Sequence, residues 1–144
     1  MDKMRVVVDT NIFFASLFNL WSNNASLFLH SEDYELELIS PYFLFEEVQK
    51  HIRKQAIKKW YIPEKLMEYV SILLDKIRIY DSSTYQNIFH QIKEKMQDID
   101  PKDTDFVALA FHLKIPLWSN DKKLKENVDF IKVWNTEDVL NMIK

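Results

Sequence analysis

The apolar positions of this chain change rhythm along its length, and each change marks an element. Met4-Arg5-Val6-Val7-Val8 is a run of stiff β-branched residues that stops abruptly at Asp9-Thr10-Asn11, the pattern of a strand over residues 4–9 buried on both faces. Ile12 to Leu20 and Ala25 to His30 read as helical pieces broken around Ser22-Asn23-Asn24. Residues 35–39 alternate and then meet Ser40-Pro41, which predicts a second strand followed by a helix from about Pro41 to Lys59 with proline in its first turn. Leu44, Phe45, Val48, Ile52 and Ala56 recur within it at helical spacing. Pro63 opens the next helix, which carries Leu66, Val70, Leu73 and Leu74 on one face. Residues 77–80 form a short strand, Tyr85 to Met96 a helix, and Asp98-Ile99-Asp100-Pro101 a loop. Asp103 to Leu113 is helical, residues 116–119 and 130–133 are short strands, and Thr136 caps a last helix through Ile143.

Short strands alternating with helices predict parallel pairing through right-handed crossovers. The expected class is α/β: a three-layer α/β/α sandwich on a mostly parallel sheet of four to five strands. All the strand carboxyl ends then share one edge, and in such sheets ligands bind beyond that edge. At 144 residues, 47% hydrophobic and 14% aromatic, the chain reads as one domain over residues 1–144 with a single sizeable core. It has neither a membrane-length apolar run nor a signal-peptide pattern, so a soluble cytoplasmic protein is expected.

Composition narrows the chemistry. The absence of cysteine removes disulfides, thiolate nucleophiles and Cys-based zinc sites, and the absence of glycine removes P-loops and Gly-rich dinucleotide turns. His30, His51, His90 and His112 lack ligand spacing and read as surface or half-buried helix residues. A bound metal would need oxygen ligands, which favours Mg²⁺ or Mn²⁺. Net charge is −3, yet Val48 to Lys65 holds six basic residues and one acid, a local +5 that leaves −8 for the remainder.

The acids fall where a parallel sheet would gather them. Asp9 ends the first strand, either as a cap for the helix near Ile12 or as a group placed for chemistry. Asp103 lies in the first turn of its helix, in line with the core stripe Phe106, Val107, Leu109, Ala110 and Leu113; again a cap is the plain alternative. Asp105 sits at the margin of that stripe and is expected to support the other acids rather than to join them. Asp121 follows the strand at Leu117-Trp118-Ser119, where a turn aspartate is also common. Of Glu46 and Glu47, Glu47 flanks the apolar face more closely, and the other is expected to be a solvated helix charge. Asp9, Glu47, Asp103 and Asp121 can therefore converge on one pocket, an arrangement of like charges tolerable only with bridging cations. Hard divalent ions held by carboxylates serve attack on phosphodiesters.

The order Val-Val-Val-Asp9-Thr-Asn, Ser40-Pro-x-x-x-x-Glu-Glu47-Val, Asp103-x-x-x-Val-Ala-Leu-Ala and Ile-Pro-Leu-Trp-Ser119-x-Asp121 resembles the PIN (PilT N-terminus) domain family. Within it the chain is most similar to the VapC-like ribonuclease toxins of bacterial toxin–antitoxin pairs, from residue 4 to about 134. The resemblance implies a Mg²⁺- or Mn²⁺-dependent endoribonuclease that leaves a 3′-hydroxyl and a 5′-phosphate. Asp9, Glu47, Asp103 and Asp121 would be its catalytic and metal-binding quartet, with Asn11 and Ser119 as polar helpers. Two departures stand out: Trp118 where small or β-branched residues are usual, which bears on packing, and Ser119-Asn120-Asp121 in place of the commoner Thr-Arg-Asp or Thr-x-Asp, which bears on substrate grip.

Lys50, Arg53, Lys54, Lys58 and Lys59, beside Trp60 and Tyr61, either hold an RNA backbone or form a solvated helix face. A cognate antitoxin is the expected protein partner, and the aromatic content leaves apolar surface for a homodimer. Two rival readings remain at this level: a PIN-fold module that binds RNA or protein with a weak or idle acid pocket, and a phosphoacceptor signalling domain. That last reading needs a phosphorylatable Asp ending a middle strand and a Lys ending a later one, which Ile77-Arg-Ile-Tyr80-Asp81 and Leu117-Trp-Ser-Asn fit poorly.

Overall fold

A computed structural model describes residues 3–143. Five parallel strands form one sheet: β1 (Met4–Val8), β2 (Leu36–Pro41), β3 (Ile77–Tyr80), β4 (Leu117–Trp118) and β5 (Val133–Trp134), in the order β3-β2-β1-β4-β5. Eight helices flank it: α1 (Thr10–Phe18), α2 (Asn23–Leu29), α3 (Phe43–Lys58), α4 (Pro63–Leu74), α5 (Gln86–Met96), α6 (Thr104–Leu113), α7 (Lys122–Asn127) and α8 (Thr136–Met142). The α/β sandwich expected from the alternation of elements is what the chain builds.

The central strand explains the register. Val6, Val7 and Val8 are fully buried because helices cover both faces of β1, and Val7 aligns with Ile39 on one side and Leu117 on the other. α6 packs across β1, β2 and β4 through Phe106, Val107, Leu109 and Ala110. Trp118, the unusual residue before Ser119, fills the core against Phe28 and donates from its indole N–H to Thr136 Oγ1 at 3.2 Å.

The boundaries differ from expectation in four places, each with a local cause. Pro41 does not open a helix. It closes β2 opposite Tyr80 at the strand's last position, and α3 starts two residues later at Phe43. The last strand is Val133–Trp134 rather than residues 130–133, because only those two residues pair with Leu117 and Trp118. Thr136 begins α8 but does not cap it; Asn135 does, with its side chain on the Asp138 N–H at 2.8 Å and Asp138 reaching back to the Asn135 N–H. Finally, α7 is a helix that apolar periodicity could not reveal, since Leu124 is its single buried residue.

With no glycine in the chain, left-handed backbone falls to other residues: Glu35 (φ 54°), Trp60 (φ 66°) and Lys114 (φ 59°). The last two terminate α3 and α6 respectively, a position where glycine relieves a Cβ penalty of about 1 kcal/mol.

Candidate functional site

β1 and β4 deliver Asp9 and Ser119–Asp121 to the carboxyl edge of the sheet, and the start of α6 delivers Asp103 beside them. Asp9 is buried, and its Oδ1 accepts from the Ile12 N–H at 2.9 Å. Ser119, also buried, accepts the Asp121 N–H on its hydroxyl oxygen at 3.1 Å, and its hydroxyl favours the charged form of the neighbouring Asp9. The Asp121 side chain in turn accepts the Lys123 N–H at 2.8 Å. Capping and site chemistry are thus not alternatives at these positions, because one carboxylate oxygen on a backbone N–H fixes the aim of the other.

Asp103 is different. It occupies the N-cap position of α6, yet its side chain makes no cap hydrogen bond. One oxygen each of Asp100, Asp103 and Asp121 can lie within 4.8 Å of the others. Asp100, in the expected loop, caps the 3₁₀ turn Pro101–Asp103 by accepting the Lys102 N–H at 3.2 Å. Its signal in the sequence is Asp-Pro-x-Asp, a cap before proline at a first helical position, followed by a second acid.

The electrostatics follow from burial and crowding. Burial, with the Asp121 charge adding to it, pushes Asp9 up to about 6 against the hydrogen bonds from Ser119 and the backbone. Burial and then the charges of Asp9, Asp100 and Asp121 push Asp103 up to about 8. Among the described residues, no lysine or arginine forms an ion pair with any of these four acids.

Glu47 stands across the cleft rather than in the tight cluster. It shares a hollow of about 310 Å³ with Thr10, Asn11, His51, Asp100, Lys102 and Asp103, and its carboxylate lies 3.3 Å from His51 Nε2, one turn along α3. The sequence marks His51 as an ordinary helix residue, and its spacing of four from Glu47 is the one clue to this pairing. Glu46 is exposed and does not line the cleft. Asp105 is held above the usual carboxylate range mainly by burial, opposed by a 2.7 Å hydrogen bond from the Tyr85 hydroxyl. It is anchored to Tyr85, the residue just before α5, and the Glu47 charge adds to the effect of burial. Asn11 lines the cleft, and Asn120 binds Thr136 through both its amide atoms, at 3.0 and 2.9 Å.

Of the basic residues, Lys59 lines a hollow beside the cleft, and its ammonium lies 5.4 Å over the Phe18 ring. Arg53 faces α4 and pairs with Glu64 at 3.5 Å. Lys50, Lys54 and Lys58 are exposed; by the helical period, Lys54 and Lys58 border the row Glu47, His51 and Gln55 that faces the cleft.

The residues present suit a hard divalent cation. The donors are carboxylate oxygens, the charges are uncompensated, and Thr10 Oγ1 on the cleft wall is buried with no hydrogen-bond partner.

The sequence matches the PIN domain model over residues 7–143, and the chain belongs to the PIN domain family. Its fold is shared with a chain of the VapBC2 complex of Rickettsia felis, crystallised bound to a DNA fragment from its promoter, at a TM-score of 0.71 and 16% identity, covering 92% of this chain and 98% of that one. PAE2754 from Pyrobaculum aerophilum is equally similar, with a TM-score of 0.71 and 13% identity over 99% of this chain and 90% of the other. No curated protein matches the sequence significantly. Among the described residues, no helix is long and apolar enough to cross a membrane.

Proposed function

We propose that this chain is a Mg²⁺- or Mn²⁺-dependent endoribonuclease, a single nuclease domain over residues 1–144 that acts in the cytoplasm as the toxin of a toxin–antitoxin pair. The observation that carries this reading is the gathering of Asp9, Asp100, Asp103 and Asp121 at one sheet edge with no lysine or arginine paired to them. Membership of the PIN family and the shared fold with a toxin–antitoxin complex support it.

Asp9, Asp103 and Asp121 would hold the cation, with Asp100 as a further oxygen donor and Glu47 across the cleft. When bound, the cation supplies Lewis-acid activation of water and neutralises charge developing on the phosphate. The protein's own contribution is orientation. Ser119 holds the Asp121 backbone beside Asp9, the Ile12 and Lys123 N–H groups fix the aim of those two carboxylates, and Tyr85 anchors Asp105. Lys54 and Lys58 border the cleft where a backbone phosphate would pass.

The test is cleavage of single-stranded RNA with Mn²⁺ and with EDTA, for the wild type and Asp9→Asn. Activity confined to the wild type with metal is expected. Cleavage that survives both chelation and the substitution refutes the reading.

A further inference from the structure

The cleft does not end at Asn11. A second hollow of about 420 Å³ shares Asn11, Phe14 and Gln55 with it, so the two form one continuous channel between α1 and α3. The walls of this extension differ in character. One is aromatic: Phe14 and Phe18 stack one turn apart on α1, with centroids at 6.1 Å and planes at 14°, and Tyr61 extends the row 5.5 Å from Phe18. Gln55, Asn19 and Ser22 add neutral polar groups to the lining, Asn19 Oδ1 accepting the Trp21 N–H at 3.3 Å, and the Lys59 ammonium stands 5.4 Å over the Phe18 ring. Thus a chain of carboxylates gives way to neutral amides and then to a cation.

That sequence of surfaces matches a polyanion whose subunits have flat faces and hydrogen-bonding edges. An aromatic row supplies stacking, which any base can use, whereas amides donate and accept at base edges and so discriminate. Paired bases in a duplex could not present their edges and faces to such a slot, but unstacked bases of a single strand can. Gln55 lies two turns beyond Glu47, about 12 Å along the helix axis, so the base reached is a near neighbour of the cut.

We propose that this hollow is a base-reading subsite: one unstacked base of a single-stranded RNA lies on the Phe14–Phe18–Tyr61 row, its edge is read by Gln55 and Asn19, and its phosphate faces Lys59. The inference rests on the nuclease reading above and names how that nuclease selects its substrate. A peptide segment of a protein partner is the competing occupant. The amide lining and the continuity with the acid cleft favour RNA.

The experiment is cleavage of a randomised single-stranded RNA pool with Mn²⁺, followed by sequencing of the ends, for the wild type, Gln55→Leu and Asn19→Ala. Mn²⁺ binding by calorimetry and binding of short homopolymers in Ca²⁺ accompany it. The wild type should prefer particular bases at one position a few nucleotides from the cut. Gln55→Leu, or Asn19→Ala if the former does not fold, should lower that discrimination about tenfold, with an unchanged Mn²⁺ isotherm. RNA cut with the same base profile by wild type and variants overturns the subsite and leaves the nuclease. The same profile with lost binding of an antitoxin assigns the hollow to protein and also overturns it. RNA neither bound nor cut by the wild type overturns the nuclease reading and the subsite with it.

Discussion

The two ends of α6 open onto opposite chemistries. At its start, a cleft of about 310 Å³ is walled by Asp100, Asp103, Glu47 and His51. At its end, beyond left-handed Lys114, a larger hollow of about 480 Å³ is lined by Phe111, Ile115, Pro116, Phe130, Ile131 and Trp134 at the amino edge of the sheet. The larger hollow is lined by no carboxylate. The smaller one is lined by Asp103, which burial and the charges of Asp9, Asp100 and Asp121 drive toward the neutral form. In this fold the crowding of half-buried charge, not the size of the space, marks where chemistry can occur.

Substitutions at the two ends should therefore fail in different ways. The largest effect is expected from Asp103→Asn, with a loss of RNA cleavage on the order of a thousandfold, against a much smaller loss for Asp105→Asn, whose carboxylate is tied to Tyr85. Equal losses in steady-state rates would break the distinction between the two acids. At the other end, Phe111→Ala removes a half-buried ring packed on Phe130 with centroids 6.3 Å apart. It should cost about 2 kcal/mol of stability by denaturant titration, while activity per folded molecule is retained.

A smaller effect sharpens the contrast by pH. In the metal-free protein Asp9 and Asp103 titrate near 6 and 8, above their unfolded values, so the folded state binds protons more tightly. Their cost is fully present above about pH 8 and fades as pH falls toward 4, so stability from this pair rises on acidification. Urea titrations from pH 9 to 5 in EDTA should show that rise in the wild type and a reduced one in Asp103→Asn. The smallest effect belongs to the amino edge: Lys114→Gly should gain about 1 kcal/mol by relieving its positive φ, without touching activity.

Much of this was legible in the sequence, for reasons that particular residues make plain. Three consecutive valines ending in Asp9 encode a buried central strand and the acid at its tip, and Phe106 to Ala110 encode the helix that packs across it. What escaped was whatever lacked an apolar signature. α7 buries only Leu124, and Phe130-Ile131 resembles strand although its neighbours Val133-Trp134 make the pairing. Asp100 was hidden because an acid before proline looks the same whether it merely caps a turn or also faces a second acid. The hydrogen bond between Tyr85 and Asp105 joins residues twenty positions apart, beyond any local pattern.

Under the proposed function, the acids at the start of α6 form a cation site and are not merely caps. Thermal melts of wild type and Asp103→Asn, in EDTA and in millimolar Mn²⁺, test it most directly. At pH 9 in EDTA, where Asp103 is ionised, Asp103→Asn should melt above the wild type because one repelling charge is gone, and Mn²⁺ should raise the wild-type melting temperature far more than the variant's. A variant less stable than wild type in EDTA, with Mn²⁺ shifts equal in both, would contradict it.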